Sequence, residues 1–172
     1  MQVVIRVAKP EEAEALGKLA AKTFTETFEW YNTAENMREY NESHFNPAHI
    51  LAEIEDENSI VYIALIDNSI IGYAKLKSSE APPELGTSFH IEIERLYVSK
   101  QFHDKKVGLA LMNKCIEIAR QKNLNVIWLG VWEHNPRAIN FYTRIGFQKF
   151  GTHIFQLGDD AQTDYLMKLN LH

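Results

Sequence analysis

One cysteine, Cys115, is too few for a disulfide within the chain. Long apolar runs are also missing, and none approaches the ~20 residues that span a bilayer, so no membrane partner is expected. There is no basic surplus: 18 Lys and Arg stand against 23 Asp and Glu, a formal net charge of −5. Nucleic-acid binders more often carry such a surplus, so no nucleic-acid partner is expected either. The acidic balance suits a cationic small molecule without requiring one. The 7 histidines show no HExxH or comparable spacing, so no metal site is expected. Linkers, internal repeats and low-complexity segments are absent too, and 172 residues suit one domain over 1–172. The opening MQVVIRVAKPEE turns charged too early for a secretory signal, which makes the cytoplasm the simplest location.

What is present reads as an α/β chain. Val3 to Val7 alternate as a short strand. Pro10 then opens a helix, with Glu11 and Glu12 complementing its dipole; Ala13, Leu16, Leu19, Ala20 and Phe24 recur at helical spacing into the Phe28 region. Asn32 with Glu35 resembles a capping box for a second helix through Met37 and Tyr40, and a third covers about Ala48 to Ile54. Ser59 to Ile66, the turn Asp67-Asn68 and Ile70 to Lys77 form a hairpin. SSEAPPELGTS is a loop. Phe89 to Val98 alternates until Arg95–Leu96, where the pattern slips as at a β-bulge or in a strand buried on both faces. After a polar loop, Val107 to Gln121 is the clearest helix, with Leu111, Met112, Cys115, Ile118 and Ala119 as its apolar stripe. Val126 to Val131 is a buried strand. His134 to Ile145 is a helix capped by Asn135 and Pro136 and ended by Gly146. Phe147 to Leu157 and Thr163 to Leu169 are strands around GDDA. The crossover from strand 89–98 through helix 107–121 to strand 126–131 is expected to be parallel and right-handed.

Two elements carry chemistry. The stretch Lys100 to Gly108 leads into a long helix, whose first turn offers unpaired N–H groups and a positive dipole end. Gly108 would let a phosphate approach closely, and Lys105 and Lys106 add charge. A solvated surface turn explains the same residues equally well. The second element is N-x-x-A-x-x-F-Y, formed by Asn135, Ala138, Phe141 and Tyr142. Residues 135, 138 and 142 share a helix face, although Asn135 is fully explained as a cap and a lone tyrosine is usually a core residue. Cys115 lies on an apolar stripe, where packing explains it better than nucleophilic chemistry.

Taken together, ERLYV, the loop ending at Gly108, the helix after it, VIWLGVW and NPRAINFYTRIGF resemble the acetyl-CoA site of the Gcn5-related N-acetyltransferase (GNAT) superfamily, over about residues 92 to 147. FTETFEWYNTAENMREY and FGTHIFQLGDDAQTDYLM are similar to the bacterial PaiA-type polyamine N-acetyltransferases, which extends the likeness over nearly the whole chain. The loop departs from the pattern: His103 stands where Gln or Arg is common, Lys106 stands at the first glycine, and Gly108 keeps its place.

The resemblance implies a GNAT fold with a mixed, mostly antiparallel sheet, splayed at strands 89–98 and 126–131 and flanked by helices. It implies acetyl-CoA as co-substrate and a small-molecule amine as acceptor. The backbone of Leu96, Tyr97 and Val98 would bond the pantetheine arm by strand addition. N–H groups of His103, Asp104, Lys105, Lys106, Val107, Gly108, Leu109 and Ala110 would cradle the pyrophosphate, and Asn135, Arg137, Ala138 and Tyr142 would contact the far side of the cofactor. Glu94 is the candidate base or water-positioner. Glu94 and Glu92 read equally as binders of a cationic substrate or as ion-pair partners of residues such as Arg95. Tyr142 is the candidate hydrogen-bond donor to the leaving thiolate. Phe28, Trp30 and Tyr31 fall in a helix break that often forms the acceptor side, and Trp128 and Trp132 lie at the end of the central strand. Phe28, Tyr31, Glu92 and Trp128 are therefore expected at the acceptor; core or dimer packing also accounts for the two tryptophans. A homodimer is the expectation from the resemblance. Three readings remain: a polyamine acetyltransferase, a GNAT enzyme acting on another amine or on a protein lysine or N-terminus, and a non-catalytic acyl-CoA-binding regulator.

Overall fold

Asp67 and Asn68 both take positive φ, 49° and 64°, the type I′ geometry that matches the twist of paired strands. Strand β2 (Ser59–Ile66) therefore returns directly as β3 (Ser69–Lys77). The computed structural model describes residues 1–87 and 89–172, so Ser88 of the SSEAPPELGTS loop lies outside the described residues. The remaining elements are β1 (Val4–Val7), α1 (Ala13–Phe28), α2 (Ala34–His44), α3 (Pro47–Glu55), β4 (His90–Val98), α4 (Val107–Gln121), β5 (Val126–Trp132), α5 (Pro136–Ile145), β6 (Gln148–Leu157) and β7 (Asp160–Asn170). They follow the expected order. The sheet has seven strands in the order β1-β2-β3-β4-β5-β7-β6. The pair β4–β5 is parallel and the other described pairs are antiparallel, as expected for a mixed, mostly antiparallel sheet. No helix of the described residues is long and apolar enough to cross a membrane.

Helices cover both faces. On one, Val107, Leu111, Met112 and Cys115 of α4 pack with Tyr142 and Phe147 against Ile91, Ile93, Ile127, Leu129 and Val131. On the other, Leu16, Ala20, Phe24 and Phe28 of α1 and Ile50 of α3 pack against Val61, Ile63, Leu65 and Tyr73. Each such side chain, fully buried, contributes about 1.5–3 kcal/mol. Gly17 lets α1 approach closely, because the Phe45 carbonyl occupies the space a Cβ would need.

The sheet opens at its centre. β4 pairs with β5 only from His90–Val126 to Ile93–Leu129. Beyond that point β4 stays with β3 while Gly130, Val131 and Trp132 stay with β7. Opposite β3, Arg95 faces Lys75 and Ile93 faces Leu76, so Glu94 is an extra residue. The bulge that the alternation places at Arg95–Leu96 is thus centred one residue earlier. It bends β4 away from β5.

Local details differ from the sequence reading. The cap of α2 is Thr33, whose Oγ1 accepts from the Asn36 N–H at 3.1 Å. Asn32 instead donates to Asp160 at 3.0 Å, tying the α1–α2 connection to the β6–β7 turn. The polar loop before α4 is a 3₁₀ helix over Lys100–Lys105, closed by Lys106 in the left-handed region at φ 60°. Phe89 stands outside β4 and is exposed. β7 starts at Asp160 rather than Thr163, because Gly158, with φ 62°, makes the turn.

Candidate active site

The opening between β4 and β5 continues into a cleft of about 1040 Å³. Its two ends differ in charge. One is bounded by Leu96, Tyr97 and Val98, the 3₁₀ helix, the first turn of α4 and the start of α5. Lys100, His103, Lys106 and Arg137 line it. The acids nearby, Asp104 and Glu26, are the exception, and Glu26 accepts from the Lys100 N–H at 3.3 Å. The other end is lined by Glu92, Glu94 and Asp164 and walled by Phe24, Phe28, Tyr31, Tyr40 and Trp132.

Helix geometry decides which N–H groups remain free at the basic end. The Ala110 N–H already bonds the Lys106 carbonyl at 3.1 Å, so Ala110 is corrected out of the anion cradle. Val107, Gly108 and Leu109 keep the unpaired N–H groups of a first turn. The Val107 side chain is fully buried in the core, which leaves only its backbone. His103, Asp104 and Lys105 lie in a 3₁₀ helix, where each N–H bonds three residues back; that conformation claims the donors a loop would have left open. The Lys105 side chain is not on the cleft wall. Asn135 caps α5 by accepting from the Ala138 N–H at 3.2 Å, as its position before Pro136 requires.

His103 crosses this end. Its Nε2 lies 2.8 Å from the Val98 carbonyl, which can only accept, so Nε2 carries the proton. Nδ1 then accepts from Arg137. Burial lowers the His103 pKa, and the Arg137 charge lowers it further against the opposing Val98 carbonyl. The Val98 carbonyl, expected to be open to an extended arm, is thus engaged. The splay still leaves the end of β4 without a strand partner on the β5 side. An unpaired strand edge, free N–H groups at α4 and the basic side chains of Lys100, Lys106 and Arg137 fit an extended amide arm ending in a diphosphate.

Tyr142 stands on α5, buried against Phe141 and Phe147, and lines the cleft. Burial holds its hydroxyl well above the ordinary tyrosine range, so it stays protonated and can donate. Cys115 is fully buried, and burial pushes its thiol to about 12. It is inert packing, as its stripe suggests.

At the acidic end, Glu94 does not pair with Arg95. Lys75 Nζ lies 2.7 Å from Glu94 Oε2, an ion pair short of hydrogen-bond geometry, and 3.1 Å from Glu53. Arg95 binds Glu53 in a fork at 2.7 and 2.8 Å. Burial, with the Glu94 charge, raises the pKa of Glu92 against a 3.0 Å hydrogen bond from Ser79. Phe28 and Tyr31 reach the cleft, with ring centres 5.0 and 4.8 Å from Trp132. Trp30 does not and is 83% exposed.

Trp128 is a correction. It lies off the cleft, where β4 and β5 are still paired, buried with Leu85, Val126 and Leu166, and its Nε1 donates to His90 at 3.0 Å. Trp132, four residues on, sits where the strands have parted. Sequence reasoning missed Asp164, His153, Tyr40, Lys75 and Glu53. Lys75 carried a signal, a charge inside an otherwise apolar strand. Asp164 carried none, since alternation in β7 reads as a solvated edge.

A family model described as the acetyltransferase (GNAT) family matches residues 18–147. An uncharacterized N-acetyltransferase of Lactobacillus delbrueckii subsp. lactis is 36% identical over 165 residues, 96% of this chain and 95% of that one. A spermidine N(1)-acetyltransferase of Thermoplasma acidophilum is 25% identical over 152 residues, 86% of this chain and 89% of that one. Among solved structures, a PaiA N-acetyltransferase from Thermoplasma acidophilum in complex with coenzyme A has a TM-score of 0.83 at 22% identity, over 99% of both chains. That likeness shows the shared fold. With the family match spanning most of the chain and a relative this similar along nearly its full length, the protein belongs to the GNAT family and is an acetyl-CoA-dependent N-acetyltransferase.

Proposed function

We propose that the acceptor is a polyamine such as spermidine or spermine, acetylated by direct attack with both substrates bound. The carrying observation is the polarity of the cleft: basic side chains at one end, and the carboxylates of Glu92, Glu94 and Asp164 with an aromatic wall at the other. An extended polycation complements that acidic end by charge and by cation–π contact. The spermidine acetyltransferase of Thermoplasma acidophilum, 25% identical, supports the same reading.

In this reading Lys106, Arg137 and the N–H groups of Val107, Gly108 and Leu109 hold the diphosphate, with Asn135 and Ala138 beside it. Leu96 and Tyr97 hold the thioester arm along the β4 edge. Glu92 and Glu94, with Phe28 and Tyr31, hold the acceptor, and Glu94 fixes its attacking end or the water beside it. The Tyr142 phenol donates to the sulfur as negative charge grows there. A thiolate of pKa about 8.5 is too weak a base to strip a phenol held so high, so a hydrogen bond that strengthens along the reaction is the working contribution.

An amine panel read by free-thiol release tests this. Spermidine and spermine should be acetylated with higher kcat/KM than monoamines, and the preference should shrink as salt screens the acidic end. Turnover confined to lysine peptides or protein N-termini would move the acceptor class. Acetyl-CoA binding without turnover on any amine would favour a regulator.

A further inference from the structure

Among the carboxylates around the acceptor end, Asp164 stands apart. Glu53 is held by Arg95 and Lys75, Glu94 by Lys75, and Glu92 by Ser79. Asp164 has no ion pair or hydrogen bond among the described residues, and its Oδ1 is buried and unpartnered. It lies on β7 opposite Trp132 of β5 and opposite His153 of β6, at the half of β5 that has parted from β4. Gly130 supplies the room. Where its Cβ would stand, Asp164 Oδ2 is 3.3 Å away and His153 Cε1 3.0 Å away, so a side chain there would crowd both groups. A glycine inside a strand often marks such a close approach.

We propose that Asp164 is the catalytic base that takes the proton from the acceptor nitrogen. The inference goes beyond the choice of amine and applies to whichever primary amine the enzyme acetylates. The nitrogen lone pair forms the bond to the thioester carbonyl carbon. The carbon–sulfur bond breaks and its electron pair stays on sulfur. The proton released from nitrogen moves to an Asp164 oxygen and then to water, while the thiolate, steadied by Tyr142, takes a proton from solvent. Glu94 is poorly placed to act as this base, because protonating it would strip Lys75, whose side chain is 5% exposed, of one of its two anions.

The titratable groups lining the same end are His153 from β6, Glu92 and Glu94 from β4, Tyr40 and His44 from α2, Tyr31 before α2 and His134 after β5, with Arg95 tied to Glu53. None of them hydrogen-bonds Asp164. Burial pushes the Asp164 carboxyl up to about 6, close to the working range of a base at neutral pH.

The test is Asp164→Asn, isosteric but unable to accept the proton. At saturating substrates kcat should fall roughly 100-fold or more, with acetyl-CoA affinity by calorimetry and the amine KM little changed. The wild-type loss of kcat/KM below about pH 6 should vanish in Asp164→Asn and return in part in Asp164→Glu. A raised KM with kcat retained would make Asp164 an amine anchor and overturn the proposal, as would an acid limb that persists in Asp164→Asn. Failure of polyamines alone would move the acceptor class and leave this test to run on the amine that reacts. No acetylation of any amine would overturn both.

Discussion

The ammonium of Lys75 lies 2.7 Å from the carboxylate of Glu94, the extra residue of β4. A buried cation on β3 thus fixes the bulge that parts β4 from β5. Glu53 of α3 completes the arrangement by holding both Lys75 and Arg95, so the helix layer, the bulge and the mouth of the cleft are joined by charge.

Lys75→Met should destabilise the fold by about 3–5 kcal/mol, because it takes from Glu94 the cation it pairs with and leaves Glu53 with Arg95 and His49. Urea unfolding measures this. Burial opposes ionisation of Glu53, but the Arg95 hydrogen bonds and charge, with Lys75, hold its pKa below the ordinary 4.5. Its contribution is therefore present above pH 4.5 and lost as pH falls through the folded value. The gap between variant and wild type should narrow in acid.

Tyr142→Phe should lower kcat by about 10–100-fold with acetyl-CoA affinity unchanged, since the phenol acts on charge that grows at sulfur during the reaction. Unchanged turnover at saturating substrates would remove Tyr142 from the mechanism.

Asp164→Asn should make the protein more stable. The folded pKa, about 6, lies above the ordinary 3.8, so Asp164 favours the fold fully below pH 3.8 and loses that contribution as pH rises through 6. The variant should gain about 1–2 kcal/mol at pH 8, partial exposure screening the rest, and almost nothing at pH 4. Lower activity with higher stability is the pattern of a residue kept for function; urea midpoints at the two pH values decide it.

Lys106→Gly should stabilise by about 1 kcal/mol, because Lys106 holds a left-handed conformation that glycine adopts freely, less the chain entropy glycine adds. Thermal unfolding is the check, and a lower midpoint would show that the lysine side chain contributes more than its strain.

Much of this was legible in the chain. Local chemistry set the helices: Pro136 and Asn135 begin α5, Gly146 ends it, and α4 runs from Val107 to Gln121, burying Leu111, Met112, Cys115 and Ala119 as its spacing dictates and Ile116 in place of Ile118. The slip in alternation announced the bulge to within one residue. The basic end of the cleft was legible in part, because a helix first turn, a glycine and the lysines before them are neighbours in sequence.

The acceptor end was not. Trp128 and Trp132 have the same type and strand parity, yet one packs under Leu85 and the other walls the cleft; only the point where β4 leaves β5 separates them. Lys75, Glu53 and Glu94 come from three elements, and Asp164 faces Gly130 only because β7 pairs with β5. The sequence by itself determined the elements, their order and the helix turn that bounds the basic end of the cleft, since caps, periodicity and turn geometry act within a few residues. The tertiary structure alone decided which carboxylates of the cleft are held and that Asp164 has no partner among the described residues. That outcome depends on burial and on neighbours distant in sequence, which no local pattern records.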